Sequence, residues 1–276
     1  MKTHGDRILG FLCAPIVTVL LAGCPAGDAA GGKAASPLPA QAASSPPPAS
    51  AAPSTPAGGY RVVEVAKGAI LRGAVRYAGT PPPRPPLAVD HDRETCAGHD
   101  LLSEELIVSP DGKVRNAVVW LEGVREGKAW PEGESLLDQE GCVYRPHVTA
   151  VGAGRPVKFV NSDPVIHNVN TFPRENPPLN VSLLAKGMGR PVTRTLKLPD
   201  EVKVTCDAHK WMSAWIIVRD SPYFAVTGDD GSYALEQVPP GRYTLVAWHE
   251  ALGRVERSVE VGAGATRTED FDLKPR

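Results

Sequence analysis

The sequence predicts an all-β fold made of two β-sandwiches. Short segments in which apolar and polar residues alternate recur between turns, and no stretch shows a sustained helical period. The chain of 276 residues holds 27 Gly and 28 Pro but only 6% aromatic residues, a composition that argues against a helical bundle or coiled coil. Its net charge of −1 provides no basic surface, so we expect no nucleic-acid partner.

The first 59 residues precede the predicted fold. Residues 1–23 have a positively charged start, an apolar run and small residues directly before Cys24. They predict a lipoprotein signal peptide and lipidation of Cys24, the alternative being an ordinary secretory signal with an incidental cysteine. Residues 24–59 consist almost entirely of Ala, Pro, Ser and Gly, which predicts a disordered tether. We therefore expect a bacterial cell-envelope protein, lipid-anchored to a membrane and facing the periplasm or the cell surface.

Alternating segments between turn residues define the predicted strands from Tyr60 onward. Turn signals include Pro110-Asp111-Gly112 and Gly228-Asp229-Asp230-Gly231. We divide this part into an N-terminal β region (60–139), a middle domain (140–219) and a C-terminal sandwich (220–276). The predicted strands are 69–77, 114–121, 143–151, 157–160, 192–198, 202–205, 215–218, 224–227, 232–235, 242–248, 255–261 and 266–273.

Three cysteines lie in the predicted folded part, and an odd number in an oxidising compartment needs a reason. Cys206 has neighbours typical of a metal site, so the sequence predicts a disulfide between Cys96 and Cys142. Two alternatives stay open. In the first, Cys96 and Cys142 are unrelated free thiols. In the second, they belong to a looser second metal site together with the nearby histidines His91, His99 and His147.

The segment that predicts chemistry is Cys-Asp-Ala-His-Lys-Trp-Met at residues 206–212. A short loop between two strands can place Cys206, His209 and Met212 around one ion, and His167 would come from a neighbouring loop. One thiolate, two imidazoles and a thioether form a soft donor set that suits copper, whereas thioether is a poor ligand for zinc. Each residue alone is more often structural, but the four together predict a mononuclear copper site.

These residues resemble the plastocyanin and amicyanin group of cupredoxins, over roughly residues 140–219. The run GRPVKFVNSDPVIHNV followed by VTCDAHKWM carries the resemblance, with the Cys-x2-His-x2-Met spacing of amicyanins. The resemblance implies His167, Cys206 and His209 as equatorial copper ligands and Met212 as the axial one. It also implies that Asn168 ties the two ligand loops together and that the ring edge of His209 faces a partner. Ala208 departs from the family, which usually has Pro before the second His.

The C-terminal run FAVTGDDGSYALEQVPPGRYTLVAWHE resembles the carboxypeptidase-regulatory-like β-sandwich of the transthyretin type. The implied module is structural or interactive, and no catalytic zinc set accompanies it. Its opening strands resemble AILRGAVRYAG and VRNAVVWLEGV of the N-terminal region. We therefore expect the cupredoxin-like segment to be inserted into this sandwich, the alternative being a longer extension of the cupredoxin.

These features predict a type 1 copper protein that is not an enzyme and transfers single electrons between unidentified redox proteins. A trafficking, storage or sensing module would use the same ligands but exchange copper itself. A metal-free scaffold or adhesion lipoprotein would need only the sandwiches.

Overall fold

The computed structural model describes residues 59–98 and 101–275, and a single helical turn is the only helix among them. The prediction of an all-β fold is confirmed. The predicted signal peptide, Cys24, nearly all of the tether and His99 lie outside the described residues. Within the described residues, no helix is long and apolar enough to cross a bilayer.

The elements are β1 (Arg61–Val62), β2 (Ala69–Tyr77), α1 (Arg93–Cys96), β3 (Val118–Glu122), β4 (Glu126–Gly127), β5 (Ser135–Gln139), β6 (Tyr144–Arg145), β7 (Val148–Gly152), β8 (Pro156–Asn161), β9 (His167–Phe172), β10 (Asn180–Leu183), β11 (Val192–Thr195), β12 (Asp200–Thr205), β13 (Ser213–Arg219), β14 (Phe224–Val226), β15 (Ser232–Val238), β16 (Gly241–His249), β17 (Gly253–Val261), β18 (Thr266–Thr268) and β19 (Phe271–Leu273).

The first sandwich combines strands from both ends of the described chain. One sheet has the order β14-β3-β16-β17, and the other has the order β15-β2-β18, with β19 also paired to β2. Side chains from both sheets, including Leu71, Leu121, Leu245 and Phe271, form one buried core. The chain leaves this sandwich after β3 and returns to it at β14.

The second sandwich is formed by the strands between those two points. Its sheets have the orders β10-β9-β12-β13-β7 and β11-β8-β5-β6. Leu137 and Phe159 of one sheet pack against Val169, Val202 and Ile216 of the other. Both sheets mix parallel and antiparallel pairs, since β13 runs parallel to β7 and β5 runs parallel to β8.

A third apolar cluster joins the two sandwiches. Val118 and Trp120 of β3 lie in this cluster with Val148 and Ile217. The alternate residues of β3, Val119 and Leu121, lie in the first core. Because successive side chains of a strand face opposite sides, a strand between two cores must be apolar at every position. This explains the unbroken apolar run in β3. The second sandwich is therefore packed through β7 and β13 against β3 and β16 of the first.

Candidate metal centre

Three elements of the second sandwich bring the predicted ligands together. Cys206 directly follows β12, and the loop to β13 carries His209 and Met212. This loop is tight, since the Met212 N–H donates to the His209 carbonyl at 2.9 Å and the Cys206 N–H donates to the Met212 carbonyl at 3.3 Å. His167 begins β9, which pairs with β12 in an antiparallel register. The strand pairing therefore fixes the distance between the two ligand loops.

The ligand atoms of His167, Cys206 and His209 lie within 4.8 Å of one another, and all three residues are buried. The two Nδ1 atoms are 2.8 Å apart, and the Cys206 Sγ lies 3.7 Å from the His209 Nδ1. Met212 is buried in the same core cluster as Cys206. The structure thus brings three of the four predicted ligands into one group, with Met212 buried on the same loop.

Carboxylates fix the orientation of both imidazole rings. The Nε2 of His167 lies 2.9 Å from Asp163 Oδ2, and the Nε2 of His209 lies 2.8 Å from Asp92 Oδ2. Each Nε2 therefore carries the proton, and both Nδ1 atoms turn lone pairs toward the same point. Two such lone pairs 2.8 Å apart repel each other unless a cation lies between them. The donor set fits a soft metal ion, and in its absence a proton can take that position.

The charges around the site agree with this interpretation. Burial works to lower the pKa of His167, but Asp163 and Cys206 outweigh it, so the pKa is raised and the ring can hold the second proton. Burial works to raise the pKa of Cys206, but hydrogen bonds from His167, the Asn168 N–H and His209 lower it to about 6. A thiolate is the form that binds metal. A metal ion would displace the proton between the rings.

Asn168 links the ligand loops, at the position that the sequence assigns to it. Its side chain accepts a hydrogen bond from the Asp207 N–H and donates to Asp207 Oδ2 at 2.9 Å and to Asn180 Oδ1 at 2.8 Å. Its own N–H lies 3.5 Å from the Cys206 Sγ. Buried Tyr144 adds a second link, because its hydroxyl lies 2.6 Å from the Asn168 carbonyl and 3.0 Å from the Thr205 carbonyl. The Tyr144 hydroxyl therefore contacts both β9 and β12, the strands next to the candidate ligands.

Cys96 and Cys142 form a disulfide. Cys142 also lies beside Asp163 and His167, but its sulfur is engaged in the disulfide. The looser second site is not assembled among the described residues. His147 pairs with Glu250 instead, His91 is exposed beside Asp90, and His99 is outside the described part.

The expectation of an exposed ring edge at His209 is wrong. The side chain is fully buried because a strap, defined here as residues 84–98, passes over it and places Asp92 on its Nε2. The disulfide at Cys96 fastens the strap to the second sandwich. Sequence reasoning missed Asp92 and Asp163. Asp163 stands four residues before His167, a spacing that carries a weak signal, but no local pattern connects Asp92 to a residue 117 positions away.

Comparisons with known proteins find one family model and several weak structural likenesses. Residues 213–274 match the family model of the carboxypeptidase regulatory-like domain. The chain is similar to the solved structure of a copper-containing nitrite reductase from Thermus scotoductus SA-01, with 23% identity over 34% of this chain and 24% of that chain and a TM-score of 0.30. It is also similar to a purple cupredoxin from Nitrosopumilus maritimus, with 18% identity over 31% and 99% of the two chains and a TM-score of 0.27. The amicyanin of Paracoccus versutus gives 18% identity over 32% and 84%, with a TM-score of 0.27. The search of curated proteins finds no match.

These likenesses are weak, and the chain spans about a quarter of the nitrite reductase that it matches. The candidate metal centre is therefore defined by the geometry of its own residues.

Proposed function

We propose that the protein is a membrane-anchored, extracytoplasmic blue-copper protein that transfers single electrons between redox proteins. The observation that supports this most is the convergence of two Nδ1 atoms and the Cys206 sulfur at one buried point. His167 reaches it from β9, and Cys206 and His209 reach it from the loop that also carries Met212. Cys and two His with a weak axial Met are the ligands of blue-copper electron-transfer sites. The predicted lipid on Cys24 would hold the protein at its membrane.

The residues of the site have distinct roles in this proposal. Copper, when bound, supplies a one-electron couple between Cu(I) and Cu(II). Cys206 would provide the thiolate, His167 and His209 the imidazoles, and Met212 the thioether. Asp163 and Asp92 keep both Nε2 atoms protonated and both rings in place. Because the surrounding strands and the disulfide restrict movement of the ligands, the same geometry would serve both oxidation states.

The burial of the ligands favours electron transfer over copper handover. His167 and His209 have no exposed surface, and Cys206 and Met212 have 1% each. A protein that passes copper to a chaperone needs a ligand that a partner can reach. Electron transfer needs no such access, because it occurs through space and bonds without ligand exchange.

The test compares electron exchange with metal exchange. The copper-loaded protein is cycled between reduced and oxidised forms, and its copper content is then measured during incubation with an excess of a Cu(I) chelator. We expect repeated reversible oxidation with little copper lost over many cycles, and no copper retained by Cys206→Ser. Rapid loss of copper to the chelator would indicate trafficking. Failure of the parent protein to hold copper in either oxidation state would leave a scaffold lipoprotein.

A further inference from the structure

The burial of His209 raises the question of how electrons reach the surface. The Nε2 of this ring is occupied by Asp92, and the strap covers the ring edge that the sequence predicts to be exposed. The strap is held at both ends. Pro86 pairs with Leu102 in a short bridge, and Cys96 is bonded to Cys142. The direct route from His209 to solvent is therefore closed.

Trp211 provides the other route. Its ring centroid lies 4.9 Å from that of His209, and the two planes meet at 62°. The indole Nε1 donates to the Cys142 carbonyl at 2.9 Å, which fixes the ring in place. The residue is only half-buried, and it lines a surface hollow of about 140 Å³. One side chain thus touches a candidate ligand on one side and the surface on the other.

The hollow has the character of a small docking site. Leu87 of the strap, Val143 and Trp211 form apolar walls, and Glu104 and Glu105 contribute carboxylates. A volume of about 140 Å³ accepts a side chain but not a whole structural element. The two carboxylates favour a basic group on the partner. Trp is also the side chain most suited to such a position, since its large flat surface combines apolar contact with a polar edge.

We propose that Trp211 is the electron-relay residue of this protein, and that a redox partner inserts a basic side chain into the hollow that Trp211 lines. This inference depends on the proposed copper site. With copper bound, one electron would pass from Cu(I) to the partner's one-electron acceptor, so that the copper is oxidised and the acceptor is reduced. No bond forms or breaks and no proton moves. The indole remains in its ordinary oxidation state and supplies the bridge between His209 and the partner.

A second exposed surface lies near His167. Ile166, Leu184 and Met188 are exposed apolar side chains on the loops around Asp163. The nearest ligand there is His167, whose Nε2 is occupied by Asp163. Asp163 in turn accepts the N–H groups of Gly141 and Cys142, so no ring edge reaches the surface on this side. This patch is the competing exchange point in the test.

The kinetic test uses the full-length copper-loaded protein and tris(phenanthroline)cobalt(III), a cationic one-electron oxidant. Trp211→Leu removes the aromatic bridge, and Trp211→Phe keeps a ring at that position. Met188→Ala is the matched control on the competing patch. We expect the oxidation rate to fall about tenfold in Trp211→Leu, equal to about 1.4 kcal/mol of activation free energy, and much less in Trp211→Phe. An unchanged rate in Trp211→Leu, or a loss in Met188→Ala alone, would overturn the proposal.

Two further measurements separate the relay from other effects. The visible spectrum and the reduction potential report the copper site itself. A copper band missing from the parent contradicts the proposed function and with it the relay, whereas an unchanged band and potential in Trp211→Leu assign its slower oxidation to the lost bridge. The redox-inert cation hexaamminechromium(III) is then added to metal-free protein, and nuclear magnetic resonance records which signals broaden. We expect broadening of the Trp211 indole N–H and of the Glu104 and Glu105 amides. Broadening centred on Leu184 and Met188 instead, or no localised broadening at all, would refute the docking site.

Discussion

Asp163 contacts both a candidate ligand and the backbone, so Asp163→Asn should change both metal affinity and stability. Its carboxylate accepts three hydrogen bonds, from the Gly141 N–H at 2.7 Å, the Cys142 N–H at 2.8 Å and the His167 Nε2 at 2.9 Å. Oδ1 takes the first and Oδ2 takes the other two. Asparagine has a single acceptor oxygen, so at least one of these donors must face an NH₂ group.

The expected magnitude follows from that count. A hydrogen bond to a charged group contributes about 1.5–3 kcal/mol, and Asp163 is nearly fully buried, so we expect metal-free Asp163→Asn to lose about 2–3 kcal/mol of unfolding free energy. Removing an outer-shell partner of a ligating His typically costs about 10–100-fold in metal affinity. This range corresponds to about 1.4–2.8 kcal/mol of copper-binding free energy.

Asp92→Asn is the matched control for stability. Asp92 contacts His209 in the same way, but its side chain is 48% exposed and its carboxylate accepts no backbone N–H among the described contacts. Solvent screening keeps such a contact below about 1 kcal/mol. Urea unfolding of the metal-free proteins and competition for Cu(I) against a chelator measure the two quantities. If Asp163→Asn matches the parent in both assays, or if the two variants lose equal stability, the assigned role of Asp163 is incorrect.

Three further predictions concern the framework around the site. Tyr144→Phe should cost about 1–3 kcal/mol in urea unfolding, because the Asn168 and Thr205 carbonyls lose the hydroxyl proton that they share and only Asn168 keeps another side-chain donor, Gln139 Nε2; a change within error would contradict this link. The double variant Cys96→Ser/Cys142→Ser opens a loop spanning 46 residues and should lose up to about 4 kcal/mol. Reductant should then destabilise the parent but not the variant, and an equal effect on both would refute the assignment. Burial works to raise the pKa of Asp200, but the N–H groups of Arg174, Glu175 and Asn176 outweigh it and the pKa is lowered. Its stabilisation is therefore present above the unfolded pKa of about 3.9 and is lost as pH falls through the folded pKa. The stability difference between parent and Asp200→Asn should shrink in acid, and a difference independent of pH would exclude this origin.

The sequence predicts best what depends on neighbouring residues. Cys206, His209 and Met212 share one loop, so their spacing alone indicates a common site. The turn at Gly228–Gly231 is equally local, and strands β14 and β15 lie on either side of it. The hairpin that the sequence suggests there is wrong, because β14 pairs with β3 and β15 pairs with β2 in the other sheet. In both cases short turn and spacing rules are enough.

Features that depend on strand pairing are harder to predict. Strand β5, Ser135–Gln139, pairs in parallel with β8, and β9 begins at His167 with polar residues, so neither shows simple alternation. Strand β3 begins at Val118, although the sequence predicts a start at 114, because Val114 pairs only in an isolated bridge with Val108. The contact of Asp92 with His209 depends on the strap, which the disulfide fastens from a distance. The burial of His209 was therefore outside the reach of local patterns.

The central claim is that a buried thiolate and two imidazoles form a blue-copper centre, and optical and electron paramagnetic resonance spectra after addition of Cu(II) test it most directly. One equivalent is added to the metal-free full-length protein, with Cys206→Ser measured in parallel. The account predicts intense thiolate-to-copper charge transfer and a compressed copper hyperfine pattern in the parent, both absent from the variant. Copper bound without that charge transfer, or the same spectrum in parent and variant, would contradict it.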